Sequence, residues 1–594
     1  MLWREDLAIR AHRHQAVGAR EAIVRNARRV AVAPPRKHPP YFRIGPNELD
    51  EFAREDALPG DGPHAPRGDT VEVAHHALVR QRRDGRPGEV HRLRDGAVKT
   101  KAERRQIYGR HGRNVVDDRT FNPLLPRRKL PLRHDGQDTG GLAERQWRAN
   151  GAESVAERRG VDDAVRMSER GGLNVPRVRV VCTTCGEALH PLAQSCPSCP
   201  SALPRTEYAE RRFVTQDRGD VFRFAAWLPS AATIATPIGP TVFRSARLAS
   251  VLGMADLSIA FSGYAPEIGA RNATGTFKDF EALPTLLYLR EHGCERVVLA
   301  SAGNTARAFA FAGTTLGFTT TLVVPETAAS SVWMPIPPSD SVRLIVLADS
   351  GDYAAAIRLA GLMAERYGLH PEGGARNVAR RDGMGTAVLE YARVRQRLPR
   401  HYVQAVGSGT GGIAAWEAAM RLRASGFEDP LPQLHLAQNV PFTPIHDAWT
   451  ARRPIEPDRN VADQLERIAA ISAPVLANRT PPYDVGGGVR DALQATAGHT
   501  YAVTNAEIRA AQRLFETHEG VPIGPESGAA LAALGQGVAR SWIRPADPVL
   551  LHVTGNGDVL LRRDVTLHRV PVWCRVSATD DSAALRDLDR AFAS

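Results

Sequence analysis

The pattern of apolar and polar positions divides the 594-residue chain into two unequal parts. Residues 1–166 carry no sustained period of 3.6 or 2, so no helix or strand face there collects enough apolar side chains to be buried. From Val175 onward the character changes. Short apolar runs follow at Arg296–Ala300, Thr320–Val324, Leu344–Leu347, Tyr402–Val406, Gln433–Ala437 and Val549–Val553. Such runs predict strands buried on both faces. Helical stretches alternate with them, at Ala306–Ala312, Tyr353–Tyr367 and Ile413–Ala424. This alternation predicts an α/β fold of parallel sheets covered by helices, with ligands bound beyond the carboxyl ends of the strands.

Length alone predicts two or more domains. The expected division is a basic segment over 1–166, a cysteine-rich element with its connection over 167–226, a catalytic core over 227–575 and a C-terminal tail or helix over 576–594. Within the core, a smaller subdomain at about 285–395 is inserted in the larger one. No apolar run is long enough to span a bilayer, and the N-terminus lacks a signal peptide's apolar core. A cytoplasmic protein without a membrane partner is expected. The net charge of +12 raises nucleic acid as a partner, until it is split. Residues 1–166 hold 34 Lys and Arg against 24 Asp and Glu, leaving 43 against 41 for everything after them. The nearly neutral remainder does not predict nucleic-acid binding. Three readings are open for residues 1–166: a disordered basic arm, an unrecognised domain, or upstream sequence ahead of a start at Met167. The third is preferred.

Four of the six cysteines form two C-x2-C pairs, Cys182/Cys185 and Cys196/Cys199, ten residues apart. Two such knuckles suit tetrahedral zinc on a small β-ribbon, and four thiolates leave no open position, so the site is structural. A relic held by packing and a pair of disulfides are the alternatives.

Lys278 is the only lysine after Lys129. Elsewhere in that stretch arginine meets every need for positive charge. A primary amine that must lose its proton and attack a carbonyl has no guanidinium substitute. Three strand-end loops then carry chemistry. Ser301-Ala302-Gly303-Asn304-Thr305 offers hydroxyls and free amides at a helix start, suited to a carboxylate or serving as an ordinary cap. Gly407-Ser408-Gly409-Thr410-Gly411-Gly412 suits a phosphate. Its G-x-G-x-x-G is not followed by the acidic residue of a dinucleotide site; Gln438-Asn439 stands there, and a phosphate monoester is the better match. Thr554, before Gly555, could hydrogen-bond a heteroaromatic nitrogen.

Together the unique lysine, asparagine loop, glycine-rich cup and C-terminal hydroxyl resemble the pyridoxal-phosphate (PLP) enzymes of fold type II, the tryptophan synthase β type, over about Trp227 to Asp564. Within them the chain is similar to the threonine synthase and cysteate synthase family. The likeness rests on Thr274-Gly275-Thr276-Phe277-Lys278-Asp279, on Glu372 to Thr386, on Gln404 to Glu417, and on Gln438-Asn439 with Pro441-Phe442. The resemblance implies that Lys278 carries the cofactor and acts as general base. It also implies that Asn304 bonds the ring hydroxyl, that Gly407, Ser408, Gly409, Thr410 and Gly411 hold the phosphate, and that Thr554 faces the pyridine nitrogen. Cysteate synthase implies O-phospho-L-serine and sulfite as reactants, a small phosphorylated amino acid and a small nucleophile, and a homo-oligomer. Thr274, Ser301 and Thr305 are the expected substrate contacts, and Arg376, Arg380 and Arg381 the expected anion binders. Threonine synthase acting on O-phosphohomoserine, and a synthase using another nucleophile such as sulfide, are the rival readings.

Overall fold

The computed structural model describes residues 176–301, 303–348, 353–456, 460–577 and 580–593, all within one compact unit. The expectations for residues 1–166 and the start at Met167 lie outside the described residues. The chain opens on a three-stranded antiparallel ribbon of β1 (Val178–Cys182), β2 (Ala188–Leu189) and β3 (Pro204–Tyr208), with β1 in the middle.

Two larger sheets follow. One has six strands: β4 (Thr241–Arg244), β5 (Leu257–Phe261), β10 (His401–Ala405), β11 (Gln433–Asn439), β12 (His499–Val503) and β13 (Val549–Val553). Their spatial order is β12-β11-β10-β13-β5-β4, and only the β4–β5 pair is antiparallel. The other is wholly parallel, in the order β9-β6-β7-β8-β14, from β6 (Arg296–Ala300), β7 (Thr319–Pro325), β8 (Val342–Ala348), β9 (His370–Pro371) and β14 (Val572–Ser577). Every position of β5, β10 and β13 is buried, as befits strands covered on both faces.

The six apolar runs all become strands, with ends shifted by two residues at most. Strands β4, β5, β9, β12 and β14 were not expected. In β12 (His-Thr-Tyr-Ala-Val) the polar side chains hide an edge strand, because they are absorbed by buried partners: the His435 ring lies 5.2 Å from that of His499. Strand β14 joins the edge of the smaller sheet beside β8, so the expected core boundary at 575 cuts through it.

Two helices carry the chemistry. Helix α1 (Asp279–Glu291) is buried from Asp279 to Leu289 and so has no polar face to give it a period. Pro284 lies inside it and cannot donate to the Phe280 carbonyl one turn back. Helix α4 (Val378–Arg395) crosses that spot with Gly383, where a Cβ would lie 1.9 Å from the same carbonyl oxygen. Between them in the chain, α2 (Asn304–Leu316) and α3 (Tyr353–Tyr367) cover the smaller sheet, while α5 (Thr410–Ala424) packs on α4.

Candidate active site

The turn before α1 is held on every side. Asn272 Nδ2 donates to the carbonyls of Ser262 (3.0 Å) and Thr276 (2.9 Å), and Asp279 accepts from Thr274 N (2.9 Å) and Thr274 Oγ1 (2.6 Å). Gly275, at φ +68°, sits against the Gly557 carbonyl where no side chain fits. Phe277 N donates to Thr554 O at 2.9 Å, and Thr276 bridges to Gly555. The lysine turn is thereby zipped to the loop after β13. Because β13 neighbours β10, the 407–412 loop leaves the same edge of the sheet.

Lys278 is 4% exposed. Its Nζ stands 3.2 Å from Glu281 Oε2 and 4.9 Å from the Phe277 ring centre. Glu281 Oε1 meets Arg380 Nη2 at 2.5 Å, and Arg380 Nη1 lies 3.3 Å from Glu372. The same guanidinium reaches Thr305 Oγ1 at 3.4 Å. Lys278, Glu281 and Arg380 thus form a charged chain through the interior to Thr305 of the asparagine loop, with Glu372 as a branch on Arg380. Burial pushes the Glu281 carboxyl up to about 8 against the opposing pull of Lys278.

Asn304 opens α2 and accepts from Arg307 Nη2. Ser301 Oγ accepts from Gly303 N and Ala306 N at 3.4 and 3.3 Å. At the glycine loop, Ser408 and Thr410 share a 2.8 Å hydrogen bond and are buried. Gly409, at φ +81°, lies where a Cβ would strike Val489 at 2.4 Å, so the loop's tight path requires glycine. Thr554 is buried, and its hydroxyl makes no hydrogen bond to another described residue.

The hydrogen bonds and ion pairs tie Lys278 through Glu281 and Arg380 to Thr305 on one side and, through its turn, to the Thr554 loop on the other, with the 407–411 loop at the carboxyl end of the strand beside β13. Arg376 and Arg381 do not join them. Arg376 Nη1 donates to the carbonyls of Gln194 (3.0 Å) and Ala202 (3.2 Å), pinning the cysteine ribbon. Arg381 pairs with Glu417 at 2.9 Å and donates to the carbonyls of Ala375 and Pro204. With their donors spent on protein partners, these two are corrected to ties between ribbon and core. Thr274 is likewise committed to Asp279. Two residues that sequence reasoning missed are Glu281 and Arg307; a buried charge in an otherwise apolar helix was the available signal.

The chain matches the family profile described as "Pyridoxal-phosphate dependent enzyme" over residues 270–555. It is 48% identical over 375 residues to the cysteate synthase of Methanocella paludicola, covering 63% of this chain and 88% of that protein. With the cysteate synthase of Methanosarcina mazei it shares 44% over 409 residues, covering 68% and 98%. The chain belongs to the cysteate synthase family. Among solved structures, a PLP-dependent aspartate racemase aligns with a TM-score of 0.41 at 18% identity, over 53% of this chain and 90% of that one.

The cysteate synthase family is PLP-dependent, with the fold of type II, and this chain is an enzyme acting on a small amino acid. The residues present fit the cofactor. A buried primary amine, an amide at a helix start, a glycine loop edged by two buried hydroxyls and an uncommitted buried threonine hydroxyl form the donor set that an aldehyde, a ring hydroxyl, a phosphate and a ring nitrogen require. The four ribbon cysteines fit a metal equally well. Their sulfurs lie within 4.8 Å of one another and none is in a disulfide, matching a zinc ion about 2.3 Å from each sulfur. Among the described residues no helix is long and apolar enough to cross a membrane.

Proposed function

We propose that this enzyme converts O-phospho-L-serine and sulfite into L-cysteate and phosphate. The observation that carries the reading is the 44–48% identity to cysteate synthases over nine-tenths or so of their length, on a chain whose buried amine, asparagine and glycine loops converge. PLP, when bound, supplies the electron sink that makes the Cα proton removable and lets a group leave Cβ. Lys278, Asn304, Ser408, Thr410, the glycines 407, 409 and 411, and Thr554 are the residues assigned to hold it.

The protein's own groups then divide the work. Ser301 and Thr305, at the start of α2, receive the substrate carboxylate, where backbone amides and helix polarity favour an anion. Arg380, held toward Thr305, brings positive charge to the same end of the site. Lys278 Nζ takes the Cα proton. The Cβ–oxygen bond breaks with its electron pair leaving on phosphate, the sulfur lone pair of sulfite forms the new Cβ–sulfur bond, and Lys278 returns the proton to Cα. Burial of Lys278 keeps bulk water from competing for that proton. Loaded enzyme given phosphoserine and sulfite should release phosphate and cysteate in equal amounts, read by mass spectrometry. Threonine formed from O-phosphohomoserine, with no cysteate, would move the assignment to threonine synthase.

A further inference from the structure

Arg307 is buried at 5% exposure, one turn into α2 and below Asn304. Its guanidinium carbon lies 4.4 Å from the centre of the Trp333 ring, itself buried. One donor is spent on Asn304 Oδ1, while Nε is buried with no hydrogen-bond partner. Among the described residues no carboxylate stands within ion-pair distance of it. Three carboxylates feel its charge from further off, Asp558, Asp279 and Glu526, and each is otherwise accounted for. Asp558 pairs with Arg562 at 2.7 Å, and Asp279 accepts two hydrogen bonds from Thr274. Glu526 is buried, which pushes its carboxyl up to about 7.

A guanidinium cannot shed its proton to escape burial, so a buried arginine without a counter-ion is a standing electrostatic deficit. Proteins keep such a charge where a ligand brings the missing anion. The planar fork, placed over an indole ring, matches the oxygens of a tetrahedral or pyramidal oxyanion. Resting on the function proposed above, we infer that Arg307, backed by Trp333, receives the oxyanion exchanged at Cβ, the departing phosphate and the entering sulfite in turn. It is a specificity-determining residue for the anionic leaving group and nucleophile. One site then serves two anions of similar shape that never need to be present together.

The test is calorimetric titration of the full-length, PLP-loaded enzyme with inorganic phosphate and, separately, with sulfite. Arg307→Met should weaken both by about 10- to 100-fold, the worth of a charge-assisted hydrogen-bonded pair, while cofactor content by absorbance stays at the wild-type level. Arg307→Lys, which keeps the charge without the fork, should recover part of the loss and decides the matter if Arg307→Met does not fold. Loss for one anion only would overturn the shared site and confine Arg307 to that anion's half of the reaction. Unchanged affinities would overturn it, as would cofactor loss in place of anion loss, which would make Arg307 a cofactor ligand. A wild-type enzyme that makes no cysteate but binds phosphate through Arg307 would sink the proposed reaction and the sulfite half of this inference, leaving Arg307 as the receiver of the departing phosphate.

Discussion

Gly383→Ala sets local and tertiary physics against each other. In an exposed helix interior the change stabilises by about 1 kcal/mol, because alanine is the better helix former. At this crossing of α1 and α4 the new Cβ would lie 1.9 Å from the Phe280 carbonyl oxygen and 2.9 Å from its carbon. Both obstacles are backbone, so no rotamer relieves them. The helices must part by roughly 1 Å or more, an overpacking cost of about 1–3 kcal/mol. Glu281 stands next to Phe280, and Arg380 one turn before Gly383, so the same wedge pulls at their 2.5 Å contact. Separating a fully buried ion pair adds about 3–5 kcal/mol if it is lost completely. The expected net is a destabilisation of about 3 kcal/mol, or a fall in melting temperature of at least about 5 °C. Thermal unfolding by circular dichroism measures it, with cofactor content recorded alongside. A variant as stable as wild type, or more so, would refute this account of the α1–α4 contact.

Lys278→Ala should fold yet lose the long-wavelength absorbance of covalently held PLP, with activity down by more than about 10³-fold; retained colour would place the attachment elsewhere. The purified enzyme should carry ~1 zinc ion per chain by atomic emission, and Cys196→Ser should abolish it and lower the melting temperature while sparing the cofactor. Finally, burial lowers the His552 imidazole to about 3. Its folded value lies below the unfolded one, so its contribution is complete above about pH 6.5 and is lost as pH falls through that window, at up to about 1.4 kcal/mol per pH unit. His552→Gln should flatten the slope of urea midpoint against pH between about 6 and 4, and an unchanged slope would place the titration in other groups.

What could be read in the sequence was whatever chemistry forbids replacing. Lys278 stood out because arginine had displaced every other lysine around it, and the 407–412 loop because only glycines fold so tightly. The six apolar runs were legible as strands because burial on both faces leaves them few polar positions. Glu281 and Arg307 were legible only as charges in otherwise apolar stretches, without a role. Each has its meaning through tertiary contact, Glu281 with an arginine 99 residues away, Arg307 with an indole on a short strand at Trp333–Met334. Arg376 and Arg381 were misjudged for the converse reason. An arginine-rich turn looks like an anion trap until carbonyls of the ribbon, 174 to 182 residues distant, prove to occupy it. Helix α1 escaped notice because a helix buried all round shows no period.

Strand β14 has a consequence for how the polypeptide is made. It closes the smaller sheet beside β8, and Arg358 and Arg366 of α3 reach Asp581 and Asp589 of the closing helix across 223 residues of chain. While the ribosome is still adding the larger sheet, Val342–Ala348 is an unsheltered edge, apolar along most of its length. The nascent chain must carry that edge until β14 has been made, so slow synthesis or termination before β14 exposes it for longest. Chains terminated before Val572 should therefore be recovered as aggregate rather than as a smaller working enzyme.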